Sequence, residues 1–362
     1  MKTYIFVRNL KYRPSTYYRI YQYIQDYSNE NILISEFEKN EYYEKKNNKS
    51  LRFFNKVYYG FLAGYIRRIL FLLKMYRNKG YIIYIQREVF PKFIGPLGMF
   101  LLKKALQKSY QIYWDFDDNI FATKEITHYE KKKLSDSSRR IIVGNQFLKE
   151  KIDKKYFHKI DVINTSDIMM KNIDIERVNI ARLKEFDDQV VLLWVGTKIN
   201  LIYLENIIEE LDKAATQLNE KKLILRIVSN ANIIMKTKKL KIENIVWDRD
   251  RALDEMLKAH IGLMPLSDDE ITKGKCAFKA VQNIGCGLPI IISNVGMNKE
   301  LIYDNGYLIN ENNEWIFSVI ELCNDKQSWL NKSRASRRLW EKKFNAEKIK
   351  KYLFELLQIN NI

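Results

Sequence analysis

Lys273-Gly-Lys-Cys-Ala-Phe-Lys279-Ala-Val-Gln-Asn-Ile-Gly-Cys-Gly287-Leu-Pro-Ile-Ile-Ile-Ser293 reads as a glycine-marked loop, a short helix, a second glycine stop and a buried strand. The run Pro289 to Ser293 is too apolar for a half-exposed strand and suits a parallel sheet covered on both faces. Lys275, Lys279 and Gln282 stand at i, i+4 and i+7, which places them on one face of a helix. Two cations near a helix start suit a phosphate, because the free N–H groups and the dipole there already favour an anion. The same residues also fit the solvated face of an ordinary surface helix. Gly274, Gly285, Gly287 and Pro289 weigh against that, since they mark tight turns where backbone approaches something closely. No G-x-x-x-x-G-K-[ST] occurs, so the stretch is not a P-loop. It reads as one strand–helix unit of a nucleotide-binding fold.

Outward from this stretch, strand-like and helix-like segments alternate along the chain. Tyr4 to Val7, Ile32 to Ser35, Tyr81 to Gln86, Ile112 to Phe116, Arg140 to Val143 and Asp161 to Asn164 read as strands. Helical stretches fall at 15–27, 51–78, 97–109, 124–138 and 145–155. The second half repeats the scheme, with strands at Val190–Val195, Leu223–Val228, Asn244–Trp247, Ile261–Met264 and Ile290–Ile292. Such alternation implies parallel sheets with helices on both faces. At 362 residues, two domains are expected. Asn164-Thr-Ser-Asp167 is turn-forming and Lys184 to Gln189 is polar, so the boundary is expected near 165–188. The expected division is 1–168, 169–344, and a final helical segment, 345–362, that could cross back onto the first domain.

The pattern Gly274, Lys275, Phe278, Lys279, Gln282, then Gly285-Cys-Gly-Leu-Pro-Ile-Ile resembles the donor-site signature of GT-B glycosyltransferases of family 4. Leu193-Trp-Val-Gly196, Val246-Trp-Asp248 with Leu253 to His260, and Ile261-Gly-Leu-Met-Pro-Leu266 resemble other pieces of that donor domain, in order. Pro14-Ser-Thr-Tyr-Tyr-Arg19 and Asp115-Phe-Asp-Asp118 resemble segments of polysaccharide-assembly members. The resemblance implies an α/β protein of two Rossmann-like doubly wound parallel-sheet domains facing a cleft. It implies a nucleotide-diphosphate sugar as donor on the second domain, with no tightly bound cofactor. The acceptor, a glycan or lipid-linked glycan, would sit on the first domain, and transfer would retain anomeric configuration in bacterial surface polysaccharide assembly. Lys279 and Lys275 would neutralise the leaving diphosphate. Gly196, Lys198, Ser229, Trp247, Asp248, Gly274, Phe278 and Gln282 would line the donor, and Glu270 and Lys273, on the loop before the helix, would meet its sugar. Two departures stand out. Gln282 replaces the Glu that holds the donor ribose in many members, and Gly274 stands where the partner Glu would be. An amide can still hydrogen-bond a hydroxyl, but without charge. The diphosphate grip then rests mainly on Lys279 and Lys275.

Asp115, Asp117 and Asp118 close a strand, where ligands of open α/β sheets sit. Clustered carboxylates there can bind a hydroxyl, take a proton or hold Mg²⁺. Equally, Asp118 or Asn119 can cap the next turn. If the strand continues, Asp115 and Asp117 share one face and Asp118 takes the other. Acceptor contact through Asp115, Asp118 and Arg19, with Asp117 as a catalytic helper and no metal, is the expectation. Arg19 alone fits a surface arginine as well.

The net charge of +18 calls for an anionic partner: phosphates, acidic lipid or nucleic acid. From Lys45 to Arg87 there is no Asp or Glu, while Lys56, Arg67, Arg68, Lys74 and Arg77 interleave with aromatic and aliphatic residues. Such a helix can lie on an acidic membrane surface, or be a packed helix with a solvated basic face. No stretch is long and apolar enough to span a bilayer, since Arg67 and Arg68 interrupt Phe61 to Met75. Arg8 and Lys11 interrupt the first apolar run, so no signal peptide is expected there. The three cysteines have no metal spacing and read as reduced; with the basic helix, this points to the cytoplasm, peripheral on the membrane. The scattered His128, His158 and His260 suggest no zinc site. Two rivals remain: a nucleotide-sugar epimerase of the same fold, and a basic nucleic-acid-binding protein. No recognition motif supports the latter, so nucleic acid is not the expected partner.

Overall fold

The computed structural model describes residues 1–27, 30–45 and 52–359. Among them the chain forms two six-stranded parallel sheets flanked by helices, each in its own compact unit. The first unit holds Met1–Thr165, Gly274–Cys276 and the chain from Glu347 on; the second holds Ser166–Lys273 and Ala277–Ala346.

The first sheet comprises β1 (Thr3–Val7), β2 (Ile32–Glu36), β3 (Tyr81–Gln86), β4 (Ser109–Phe116), β5 (Arg140–Val143) and β6 (Ile160–Val162), in the order β2-β1-β3-β4-β5-β6. Every residue of β1 and β3 is buried. That explains their unbroken apolar runs, because helices cover both faces of a parallel sheet. The strand order reverses between β1 and β3, so the crevice at their carboxyl ends is where such sheets take ligands. The Ala346–Leu357 helix contributes to this unit, with the Tyr352 hydroxyl donating to Asp161 Oδ2 at 2.7 Å.

The second sheet comprises β7 (Gln189–Val195), β8 (Lys222–Ser229), β9 (Lys241–Val246), β10 (Ile261–Met264), β11 (Ile290–Ser293) and β12 (Gly306–Ile309), in the order β12-β11-β10-β7-β8-β9. Counted from β7, this is the dinucleotide-binding order 3-2-1-4-5-6, reversing between β7 and β10. Leu192, Leu225, Leu263 and Ile291 from the central strands pack with Trp315 and Trp329 in one buried cluster.

Three expectations shift. β9 ends at Val246 and β6 at Val162, so Trp247 and Asn164 lie beyond their strands. β12 went unread because it is a four-residue strand opening on glycine. A Cβ on Gly306 would meet the Ile290 carbonyl oxygen at 1.9 Å, so close pairing demands the glycine. The basic stretch forms Arg52–Val57, a π-helical turn at Tyr58–Leu62, and the Ala63–Tyr76 helix; residues 46–51 and the Lys56 side chain lie outside the described residues. Arg68 cannot face a membrane: it is fully buried and donates to the carbonyls of Val7 (2.6 Å), Ser35 (2.5 Å) and Val89 (2.9 Å). Those carbonyls would otherwise be unsatisfied in the core. No helix among the described residues is long and apolar enough to cross a membrane.

Candidate functional site

The Phe278–Gly285 helix is held at both ends by its sequence. At its start, Ala277 adopts a left-handed conformation (φ 48°), which kinks the chain and lets the helix begin only at Phe278. Lys275 therefore lies before the helix and does not share the face of Lys279 and Gln282. Lys279 and Gln282, one turn apart, do share it. At its end, Gly287 supplies φ +64° and the amides of Cys286, Gly287 and Leu288 bond back into the last turn. Two buried arginines meet the exposed carbonyls there. Arg182 donates to Cys286 at 3.1 Å, and Arg337 to Gly285 at 2.8 Å. Cations at a helix C-terminus complement its dipole. The helix is thus a rigid mount for Lys279.

Lys279 Nζ donates to Gln282 Oε1 at 2.8 Å, and Gln282 Nε2 donates to Asp167 Oδ2 at 2.6 Å. Asp167 Oδ1 also accepts from the Met169 amide at 3.0 Å. Burial pulls the half-buried Lys279 ammonium down to about 8, with Arg249 adding to the effect and Asp167 opposing it. Burial also raises Asp167, against the pull of the Met169 amide, Gln282, Lys279 and Arg249. Asp167 was missed from sequence. Its signal there was a turn, and its partner stands 115 positions away.

The other residues of the second unit singled out from the sequence lie about the carboxyl edge of this sheet. Gly196 follows β7, and a Cβ there would strike the Trp194 indole at 2.3 Å, so packing alone requires the glycine. The Lys198 amide is held by Asn230 Oδ1 at 2.8 Å. Ser229 is buried at the end of β8, and its carbonyl accepts from the Trp247 amide at 2.9 Å. Asp248 Oδ1 accepts from the Arg251 amide at 3.2 Å, at the start of the Arg249–Lys258 helix. Glu270 and Lys273 sit on a short helix, Glu270–Lys273, rather than a loop, and Lys273 pairs with Asp268 at 2.8 Å. Asp269 makes that helix by accepting from the Ile271 and Thr272 amides. Phe278 lies under the Lys279 ammonium, 5.2 Å from its ring centre. A cleft of about 400 Å³ opens at the ends of β10 and β11, lined by Tyr203, Asn206, Pro265, Ser267, Ser293 and Asn312. His260 is structural: Nδ1 accepts from the Val191 amide at 3.0 Å, Nε2 lies 3.1 Å from the Arg182 carbonyl, and burial pulls it down to about 4.

At the carboxyl edge of the first sheet, charges pair with one another. Arg19, on a π-helical turn, is buried against Asp115, with Nε 3.1 Å from both carboxylate oxygens. Tyr84 donates to the same carboxylate. Arg87 bridges Asp118 (2.9 Å) and Glu125, while Arg8 bridges Glu88 and Glu125. β4 stops at Phe116, so Asp117 does not continue the strand's alternation. Its carboxyl is buried and pushed up to about 7, by desolvation first and then by Asp118. Its Oδ1 has no hydrogen-bond partner among the described residues; Arg8 Nη2, Gln86 Nε2 and Glu88 Oε2 share that condition. Arg8, Gln86 and Glu88 lie at the carboxyl ends of β1 and β3, where the strand order reverses, and Asp117 lies just beyond the neighbouring β4. Sequence reasoning found Asp117 but not Arg8, Gln86 or Glu88, which end β1 and β3 with no motif around them. Asn119 Oδ1 caps the following turn through the Ala122 amide at 3.1 Å. Gly274–Cys276 also counts with this unit: Asn145 donates to the Lys275 carbonyl at 3.0 Å, and a Cβ on Gly274 would meet Asn119 at 2.6 Å.

No family model matches the chain, and no curated protein matches it. Solved structures do. HepE of Anabaena in complex with UDP superposes with a TM-score of 0.63 at 12% identity, over 99% of this chain and 100% of that one. The same protein was solved with UDP-glucose. OtsA without ligand matches with a TM-score of 0.60 at 13% identity over the whole of both chains. Sucrose-phosphate synthase of Thermosynechococcus elongatus matches with 0.55 at 13% identity, over 82% of this chain and 78% of that one. At such identities the likeness establishes the fold: the chain has the two-sheet GT-B architecture.

Proposed function

We propose that the protein is a retaining glycosyltransferase of the hexosyl type. It moves a sugar from a nucleotide-diphosphate sugar to a glycan or lipid-linked glycan in bacterial surface polysaccharide assembly. The observation that carries this is the Lys279 ammonium on a firmly held helix start, beside a sheet in dinucleotide-binding order. A cation preorganised where a diphosphate departs stabilises developing charge. In the reaction the bond from the anomeric carbon to the diphosphate oxygen breaks and a bond to the acceptor hydroxyl oxygen forms. The hydroxyl proton passes to the departing diphosphate, with the Asp117 carboxyl as an alternative acceptor. Lys279, assisted by Lys275, neutralises the diphosphate. Gly196, Lys198, Ser229, Trp247, Asp248 and Gln282 serve the nucleotide, and Glu270, Lys273, Gly274 and Phe278 serve the sugar. On the first unit Asp118 meets the acceptor, at an edge kept in shape by Arg19 and Asp115. The test is product analysis with UDP-, GDP- and CDP-sugars. Transfer to an acceptor supports the reading. Interconversion of the donor without transfer supports an epimerase, and binding of none of the three sinks both.

The protein works on an acidic membrane surface at the cytoplasmic face. Leu62, at the end of the π-helical turn, and Ile66, Leu70 and Leu73 on the Ala63–Tyr76 helix form an exposed apolar stripe, and Phe93, Leu97 and Phe100 are exposed on and beside the Gly95–Lys108 helix packed against it. Lys74, Arg77, Lys103 and Lys104 accompany them. Between Lys45 and Trp114 the one acidic residue is Glu88, which is buried. Apolar side chains then enter the headgroup boundary while the cations meet acidic lipid. Sedimentation with acidic liposomes at low salt, lost at high salt, is expected. Replacing Ile66, Leu70 and Leu73 by Ser should weaken it and leave soluble donor binding intact. Parental sedimentation of that variant would sink the membrane assignment.

A further inference from the structure

Lys279 and Asp167 do not touch; the Gln282 amide stands between them. An ammonium can only donate, and a carboxylate can only accept. The amide bridging them therefore has one orientation, with Oε1 toward Lys279 and Nε2 toward Asp167. Asp167 is itself fixed, because its other oxygen takes the Met169 amide and the side chain is 2% exposed. Gln282 is buried on the rigid helix, 4% exposed. Two immobile groups thus set where a half-buried amine rests, in the first turn of the helix.

Resting on the donor-site reading above, we propose that Asp167 is a positioning residue of that site. Through Gln282 it parks the Lys279 amine, keeps it charged, and leaves the Gln282 carbonyl oxygen facing the ligand once a diphosphate draws the amine away. The freed oxygen can then accept a hydroxyl of the same ligand, so that diphosphate and hydroxyl recognition are linked through one amide. The charged groups acting on the pair are few. Arg249, at the start of the Arg249–Lys258 helix, acts on both, and Cys286, at the far end of the Lys279 helix, is held neutral by burial. Asp167 is the group that favours the ammonium; burial and Arg249 oppose it.

The sign follows. A diphosphate binds the charged amine, so affinity holds below the lysine's folded value and falls as pH rises through it, by up to about tenfold per pH unit. Removing the Asp167 charge lowers that value and moves the fall to lower pH. The experiment is calorimetric titration of the full chain with UDP from about pH 7 to pH 10, where the terminal phosphate is already ionised. In the parent the fall should begin near pH 8. In Asp167→Asn it should begin lower, with affinity at pH 8 down about threefold to tenfold. Gln282→Leu severs the bridge at its middle and should move the fall the same way, which keeps the test open if Asp167→Asn does not fold. Lys279→Arg, charged throughout, should show no fall in either background. A residue that merely shapes the Asp167 turn would weaken UDP equally at every pH. If Lys279→Ala binds UDP like the parent at pH 7, the donor-site reading itself fails. If Lys279→Ala loses UDP but Asp167→Asn or Gln282→Leu keeps the parental onset, the positioning role is overturned and the donor site stands.

Discussion

At the carboxyl edge of the first sheet, Arg8, Arg19 and Arg87 are each engaged by carboxylates, mostly deep in the unit. At the corresponding edge of the second sheet, Lys279 rests on an amide oxygen, and no ion pair to it occurs among the described residues. The first arrangement pairs each of its three arginines within the protein, though single atoms of Arg8, Glu88 and Asp117 stay unpartnered among the described residues. The second leaves a cation attached to a weak neutral acceptor, ready to exchange it for a stronger anionic one. Truncating the buried Arg19–Asp115 pair at the first edge should therefore cost folding, and truncating Lys279 at the second should cost function.

The largest effect should come from Arg19→Ala. It strands Asp115 in the core without its guanidinium, and breaking a buried pair costs about 3–5 kcal/mol of stability. Urea unfolding checks it; a variant as stable as the parent would show that this edge is not sealed. Next is Lys279→Ala. Loss of a preorganised charge at developing negative charge should raise the barrier by about 3–4 kcal/mol, measured as kcat/KM with the active donor. Its urea midpoint should stay close to the parent's, and a collapse comparable to Arg19→Ala would erase the contrast between the edges.

Asp117 offers a finer probe. Its folded carboxyl titrates near 7, above an ordinary aspartate. Between the ordinary value and about 7 the folded state holds a proton that the unfolded state has released, so stability declines as pH rises through that window. The slope for one such proton is at most about 1.4 kcal/mol per pH unit. Asp117→Asn should remove that decline, and unfolding of both proteins from pH 4 to 8 compares them. Parallel curves would mean that Asp117 is ionised throughout. The smallest expected effect is that of EDTA on turnover, which should be none, because in the proposed site lysines and a helix start would meet the phosphate charge. Complete loss, restored by Mg²⁺ or Mn²⁺, would instead assign Asp115, Asp117 and Asp118 to a metal.

The contrast between the edges also separates what was legible in the sequence. The 273–293 stretch carries its own punctuation: Gly287 and Pro289 stop a helix, three isoleucines make a strand, and Lys279 and Gln282 stand one turn apart. The helix start was read too early, since nothing in Lys-Cys-Ala announces that Ala277 turns left-handed. Arg19, Asp115 and Asp117 were found as residues, yet their engagements were not. Asp115 lies 96 positions from Arg19, and the π-helical turn that delivers the arginine has no sequence mark. Arg68 read as a membrane cation because a helical period cannot tell a basic face from one arginine turned inward.

Alternating apolar runs and glycine stops determined two parallel sheets and the helix that carries Lys279, because backbone periodicity and turn chemistry act over a few residues. Which charges face ligand and which are buried against each other was decided by tertiary structure. Asp167 meets Gln282 across 115 positions, and Arg68 meets three carbonyls from three separate segments. Burial and neighbouring charge set each group's ionisation, and both exist only once strands far apart in sequence lie side by side.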